Sequence, residues 1–218
     1  MKLFTLPVGM MGTNCYIIRT EQGNGVLIDP GAESERILHT LQANDITLKL
    51  ILLTHGHFDH IGALREVYKQ TGAQVIVSEN DAELLTDPVK NVGARFSSQT
   101  DIYNLPDIPI ARKVVHDDII EMDELTFTVF ETPGHTIGSV VYVLGDKLFT
   151  GDTLFRGSIG IVTHYGGNLS TEMESVKRLA DTLVGEYFVY PGHGPSTTLE
   201  TERRTNPYMG KASYDDCF

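Results

Sequence analysis

Three histidines and an aspartate fall within six positions of the stretch Thr54-His55-Gly56-His57-Phe58-Asp59-His60, directly after the apolar run Leu50-Ile51-Leu52-Leu53. Imidazole and carboxylate together are donors for zinc, iron or manganese, and ligand-type residues at the end of a buried strand are the usual geometry of a metal site. In extended backbone alternate residues share a face, so His55 and His57 are expected to point one way while Asp59 and His60, on the next turn, aim elsewhere. Four ligands rarely reach one ion from so short a loop. The spacing therefore predicts two sets of donors and two adjacent divalent metals.

Other chemistry-bearing residues sit in similar places. His135, Asp152 and His193 each follow an apolar run and each lies beside glycine, in Thr132-Pro133-Gly134-His135-Thr136, Thr150-Gly151-Asp152 and Pro191-Gly192-His193-Gly194. Several strand ends are thus expected to converge on one rim. His39 and His116 have no ligand spacing and are read as structural or solvent-facing. Cys15 and Cys217 have no basic or histidine neighbour to activate a thiolate.

The elements that must position these donors are legible in outline. Leu3 to Pro7, Cys15 to Arg19, Val26 to Asp29, Leu50 to Leu53 and Val75 to Val77 read as strands. Helices are expected from Ala32 to Ala43 and from Ile61 to Gln70, the second stopped by Gly72. In the second half, Leu125 to Phe130 alternates as a strand, and Ser139 to Leu144 with Lys147 to Thr150 forms a hairpin around Gly145-Asp146. A helix capped by Ser170 runs to Leu183. Tyr187 to Tyr190 is a further strand, and Leu199 to Thr205 a last helix. Residues 79–113, interrupted by Pro88, Pro106 and Pro109, form the least regular stretch, read either as a surface excursion or as a lid beside the metals. Strands in both halves with helices outside imply a two-sheet sandwich, α/β of the α+β type, in one domain spanning residues 1–218.

Composition restricts the partners. The 218 residues are 41% hydrophobic and 21% charged, as in ordinary globular domains, and 29 acidic against 17 basic residues give a formal charge of −12. Such a surface repels polyanions, so a small-molecule substrate is expected rather than nucleic acid. No signal peptide or membrane span is visible in the sequence, and two distant cysteines fit a reducing compartment, so cytoplasmic residence is the expectation.

Taken together, the four motifs T-H-G-H-F-D-H, T-P-G-H-T, G-D-T-L-F and P-G-H-G resemble those of the metallo-beta-lactamase fold superfamily, and within it the glyoxalase II-like (hydroxyacylglutathione hydrolase-like) branch. The resemblance implies an αββα sandwich of two mixed β-sheets flanked by helices. It also implies a dinuclear site: His55, His57 and His135 on one metal, Asp59, His60 and His193 on the other, and Asp152 bridging. Two metals, zinc first with iron or manganese as substitutes, would then activate a bridging hydroxide, with Asp59 and Asp152 as the carboxylates at the reacting centre. His57 stands where flavodiiron relatives carry glutamate, and Asp152 where the best-known zinc beta-lactamases carry cysteine. The branch implied is a thioesterase, with lactonase or small-ester hydrolysis and a one-iron persulfide dioxygenase using His55, His135 and Asp152 as alternatives.

The chain departs from that pattern after Gly160. Ile161 and Thr163 stand where similar proteins carry arginine and aspartate, so a basic grip on glutathione is not supplied there. Arg156 and His164 are the candidate substrate contacts in this stretch, although His164 reads first as a surface histidine. Arg203, Arg204 and Lys211 read as solvated charges, and the chain ends soon after Pro207, with no room for the larger helical substrate domain of full-length glyoxalase II.

Overall fold

A computed structural model describes residues 1–96 and 103–209 of the chain. The first half builds a six-stranded sheet in sequence order: β1 (Lys2–Val8), β2 (Thr13–Arg19), β3 (Asn24–Ile28), β4 (Thr47–Leu52), β5 (Gln74–Ser78) and β6 (Ile110–Val114). β1 to β3 pair antiparallel, and β3 to β6 pair parallel. The second half builds another, ordered β12 (Thr197–Thr198), β11 (Phe188–Pro191), β10 (Lys147–Gly151), β9 (Val140–Leu144), β8 (Leu125–Glu131) and β7 (Ile119–Met122), with only β10 and β11 parallel. Both sheets are mixed.

Period-two alternation sorts the side chains into three cores. In β4, Leu50 and Leu52 face the opposite sheet and meet Phe127, Val129, Tyr142 and Phe149, while Ile51 faces outward with Leu53 beyond it. That outer face packs α1 (Ser34–Ala43) through Ile37 and Leu41, and α3 (Leu64–Thr71) through Leu64 and Val67. On the other side Val141, Leu148 and Val189 pack Val176 and Leu179 of α5 (Leu169–Thr182) and Leu199 of α6 (Leu199–Thr205). The layers are helix, sheet, sheet, helix, as expected.

Several local expectations need correction. The helix expected from Ile61 is divided: α2 (Phe58–Ile61) makes one turn, and α3 starts after Ala63, whose N–H donates to the Pro30 carbonyl at 2.9 Å. Gly72 does end α3, at φ 65° with its N–H on Tyr68 O. Asn168, not Ser170, caps α5; its side chain accepts from Thr171 N at 3.0 Å. Residues 79–113 are not one excursion. They open as a 3-10 stretch, Glu79–Thr86, with Asp81, Leu84 and Leu85 buried, continue through the single turn α4 (Gly93–Phe96), and close as β6 paired to β5. Residues 97–102 of that segment lie outside the described residues, as do Lys211 and Cys217. No helix among the described residues is long and apolar enough to cross a membrane.

Candidate metal centre

The donors converge where the parallel strands end. Beyond β4, Thr54 is pinned twice by Asp29 at the end of β3: its N–H donates at 2.8 Å and its hydroxyl at 2.6 Å. The next turn is held by Asp81, which accepts from Gly56 N, Thr136 Oγ1 and Gly138 N, each at 2.8 Å. One buried carboxylate thus ties the His55–His57 loop to the loop carrying His135. Past β10 and β11 lie Asp152 and His193. The Pro191 carbonyl accepts from Tyr16 Oη at 2.6 Å and Asn14 Nδ2 at 3.0 Å. Gly192 approaches so closely that a Cβ there would lie 2.3 Å from Asp152 Oδ1.

Three groups of donors result: His55, His57 and His135; His55, His60 and Asp152; and Asp59, His60 and His193, each with ligand atoms within 4.8 Å of one another. His135 Nε2 lies 2.8 Å from His57 Nδ1 and 3.2 Å from His55 Nε2. Asp152 spans the sets, with Oδ2 3.6 Å from His135 Nε2 and Oδ1 3.3 Å from His60 Nε2 and 3.6 Å from His193 Nε2. Asp59 Oδ2 is 3.2 Å from His193 Nε2 and accepts from Thr13 Oγ1 at 2.9 Å.

The outer ring nitrogens decide what the inner ones present. His60 Nδ1 meets Asp29 Oδ2 at 2.9 Å, His135 Nδ1 meets Ile161 O at 2.9 Å, His193 Nδ1 meets Met11 O at 3.2 Å, and His55 Nδ1 meets Thr54 Oγ1 at 3.1 Å, a hydroxyl already donating to Asp29. Each partner is an acceptor, so the hydrogen-bond network assigns the proton to Nδ1 and leaves the Nε2 lone pair inward. His60 Nε2 and Asp152 Oδ1 are buried with no hydrogen-bond partner. Lone pairs facing lone pairs in a buried space require a cation between them. The donor set fits divalent metal ions.

Electrostatics agree. Burial, reinforced by neighbouring imidazoles, pushes His55 well below its ordinary range; burial and His135 take His57 to about 3; burial also lowers His135, against the pull of Asp152. These rings stay neutral, as metal donors must. Burial would raise Asp59 and Asp152, but His60 and the other imidazoles around them win and hold both carboxyls low. In the metal-free chain His60 is the compensating cation: its burial is overcome by Asp59, Asp29 and Asp152, which raise it well above its usual range.

A cavity of about 290 Å³ opens onto the cluster, walled by Phe58, Val92, Phe96, Phe155, Ile161 and His164. Phe58 and Phe96 stack at 4.5 Å. A larger groove, about 850 Å³, runs along α5 and carries no histidine. His164, readable as a surface residue, lines the cavity, its ring 5.7 Å from that of His57. Arg156 is exposed and outside the wall, which its neighbour Phe155 lines. Arg203 is not a solvated charge: its guanidinium donates to the carbonyls of Ala180, Leu183 and Gly185 at the end of α5. Asp29, Asp81 and the buried Glu172 escaped sequence reading. Asp29 alone left a trace there, as an acidic residue closing an apolar strand.

A two-sheet sandwich with histidine and carboxylate donors at its strand ends defines the metallo-hydrolase class, and the model of the metallo-beta-lactamase superfamily matches residues 8–193. The chain belongs to that superfamily. It is 31% identical over 215 residues to the Haemophilus influenzae hydroxyacylglutathione hydrolase GloC, covering 98% of this chain and all of that one. Among solved structures it is similar to BLEG-1, a B3 metallo-beta-lactamase, with a TM-score of 0.86 at 32% identity over 95% of this chain and 99% of the other. It is likewise similar to a protein crystallised in a di-iron-bound form, with a TM-score of 0.79 at 35% identity over 94% and 99%.

Proposed function

We propose that the protein hydrolyses a small thioester of the hydroxyacylglutathione type at a centre holding two divalent metals, zinc the first candidate. The observation that carries this is Asp152, whose two oxygens face the His135 side and the His60–His193 side of one buried cluster. Support comes from the similarity to a hydroxyacylglutathione hydrolase along the whole chain. Bound metals supply a water of lowered pKa and polarise the substrate carbonyl.

The chain's own groups do the rest. Thr13 and His193 fix Asp59, which stays ionised. Phe58, Phe96 and Val92 give the acyl compound an apolar wall and exclude water from the reacting face. Among the described residues no lysine or tyrosine lines the cavity as a general acid for a poor leaving group. A thiolate, whose conjugate acid titrates near about 8.5, leaves without one, which favours thioesters over amides.

Metal content by plasma mass spectrometry should approach two ions per chain, and S-lactoylglutathione should be hydrolysed. Asp152→Ala and His55→Ala should each lower kcat/KM by about 10²-fold or more. Parent rates in both variants would overturn the mechanism. One tightly held iron, with oxygen consumed in the presence of glutathione persulfide, would favour instead the dioxygenase reading, for which His55, His135 and Asp152 also lie close enough.

A further inference from the structure

The stretch after Gly160 brings no lysine or arginine to the cavity. Ile161 supplies the cavity only its side chain and gives its carbonyl to His135 Nδ1. The turn α4 carries Phe96 into the cavity wall, and the neighbouring Arg95, itself outside that wall, sets Nη1 3.4 Å from Nδ1 of the cavity-lining His164. That contact makes His164 Nδ1 the acceptor and leaves Nε2–H as the donor of a ring that lines the cavity and lies edge-on to His57.

Arg95 differs from several other cations of the chain. Lys90 is neutralised by Glu83 at 2.6 Å, and Glu83 also accepts from Tyr165 Oη at 3.0 Å. Arg36, Arg65 and Arg112 pair with Glu33, Asp107 and Asp118. Among the described residues Arg95 has no carboxylate partner, and the histidine nitrogen is its one hydrogen-bond contact. In a chain of formal charge −12, an arginine left without a counter-ion beside a reactive cavity is placed for an anion from outside.

We propose that Arg95 and His164 form a carboxylate-binding rim, and that the substrate is an acyl compound whose leaving group carries a carboxylate on the side remote from the scissile carbonyl. The proposal rests on the thioesterase reading for the word leaving group, but not for the rim itself. One guanidinium beside a neutral imidazole matches a single carboxylate; a diphosphate would demand more cations than the Glu83-neutralised neighbourhood supplies. The apolar stretch of Phe58 and Phe96 between rim and cluster suits the carbon chain joining the two ends.

The test uses the metal-loaded chain, its Arg95→Ala and Arg95→Lys variants, and two pairs of probes. By calorimetry, the parent should bind S-hexylglutathione about tenfold more tightly than its diethyl ester, the preference should vanish in R95A and partly return in R95K, and the ester should bind all three proteins alike. In steady-state kinetics, R95A should raise KM for S-lactoylglutathione about tenfold with kcat kept, and leave S-lactoyl-N-acetylcysteamine, which has no carboxylate, unchanged. Equal binding of acid and ester by the parent, no binding of either, or an unchanged preference in R95A, overturns the rim. A preference that depends on Arg95 in a protein that hydrolyses neither thioester keeps the rim and overturns the thioesterase.

Discussion

Asp29 is the residue on which the centre's geometry turns. It sits at φ 51°, a left-handed backbone conformation, and it accepts from Thr54 N, Thr54 Oγ1 and His60 Nδ1 together. Asp29→Ala should weaken metal binding about 10- to 100-fold, because His60 loses the acceptor that fixes its tautomer, and a chelator-competition titration would read it. Glu172 is the opposite kind of residue. Its carboxyl is buried against Gly134, with the His135 backbone N–H turned toward it but no closed hydrogen bond, and burial raises it to about 9. Folded protein therefore holds a proton that the unfolded chain releases above its ordinary value of 4.5, so stability falls as pH rises between 4.5 and about 9, by at most about 1.4 kcal/mol per unit. Glu172→Gln should leave the melting temperature near pH 4.5 unchanged and raise it by several degrees at pH 8.

At the scale of elements, ligand-bearing loops are short and their strands are long-range partners. The Thr13 to His193 bridge and the bond from Asn14 N to Gly192 O join the start of β2 to the last ligand turn, nearly the whole chain apart. Asp81 does the same for the loops after β4 and β8. Arg203 belongs to another part of the fold: from α6 it closes the free carbonyls at the end of α5, where the helix dipole also favours a cation. Arg203→Ala should cost about 1–3 kcal/mol of stability in denaturant unfolding while metal content and kcat/KM stay at parent values. A raised KM instead would show that the arginine reaches substrate.

Over the whole molecule, three cores hold four layers, and the open end of the sandwich between the sheets collects imidazoles and carboxylates that neither sheet could bury alone. Without metal, this end is stable only within limits. His55, His57 and His135 are held neutral and disfavour folding as pH falls below 6.5, whereas His60 contributes stability that is present below 6.5 and lost as pH rises through its raised folded value. Metal replaces that proton. The difference in melting temperature between metal-loaded and chelated protein should therefore widen as pH is raised above 6.5, and thermal melts with and without chelator across that range would check it.

The amino-acid sequence determined the kind of donors, their order and their attachment to strand ends, because these depend on neighbours within a few positions: an apolar run, a glycine that permits a tight turn, and a ligand side chain. It likewise carried the sandwich, through the apolar run of β4, the alternation of β8 and the hairpin of β9 and β10. β6 and β7 escaped because they are edge strands with half-exposed patterns, and α5 took its cap from Asn168, whose backbone N–H is held by the distant Gly134 carbonyl. Only the tertiary structure decided which nitrogen His60, His135 and His193 present. That choice is made by Asp29 and by the Ile161 and Met11 carbonyls, which lie 26 to 182 positions from the rings they hold. The same holds for the rim: Arg95 and His164 are 69 positions apart, and nothing local to either marks the other as its partner.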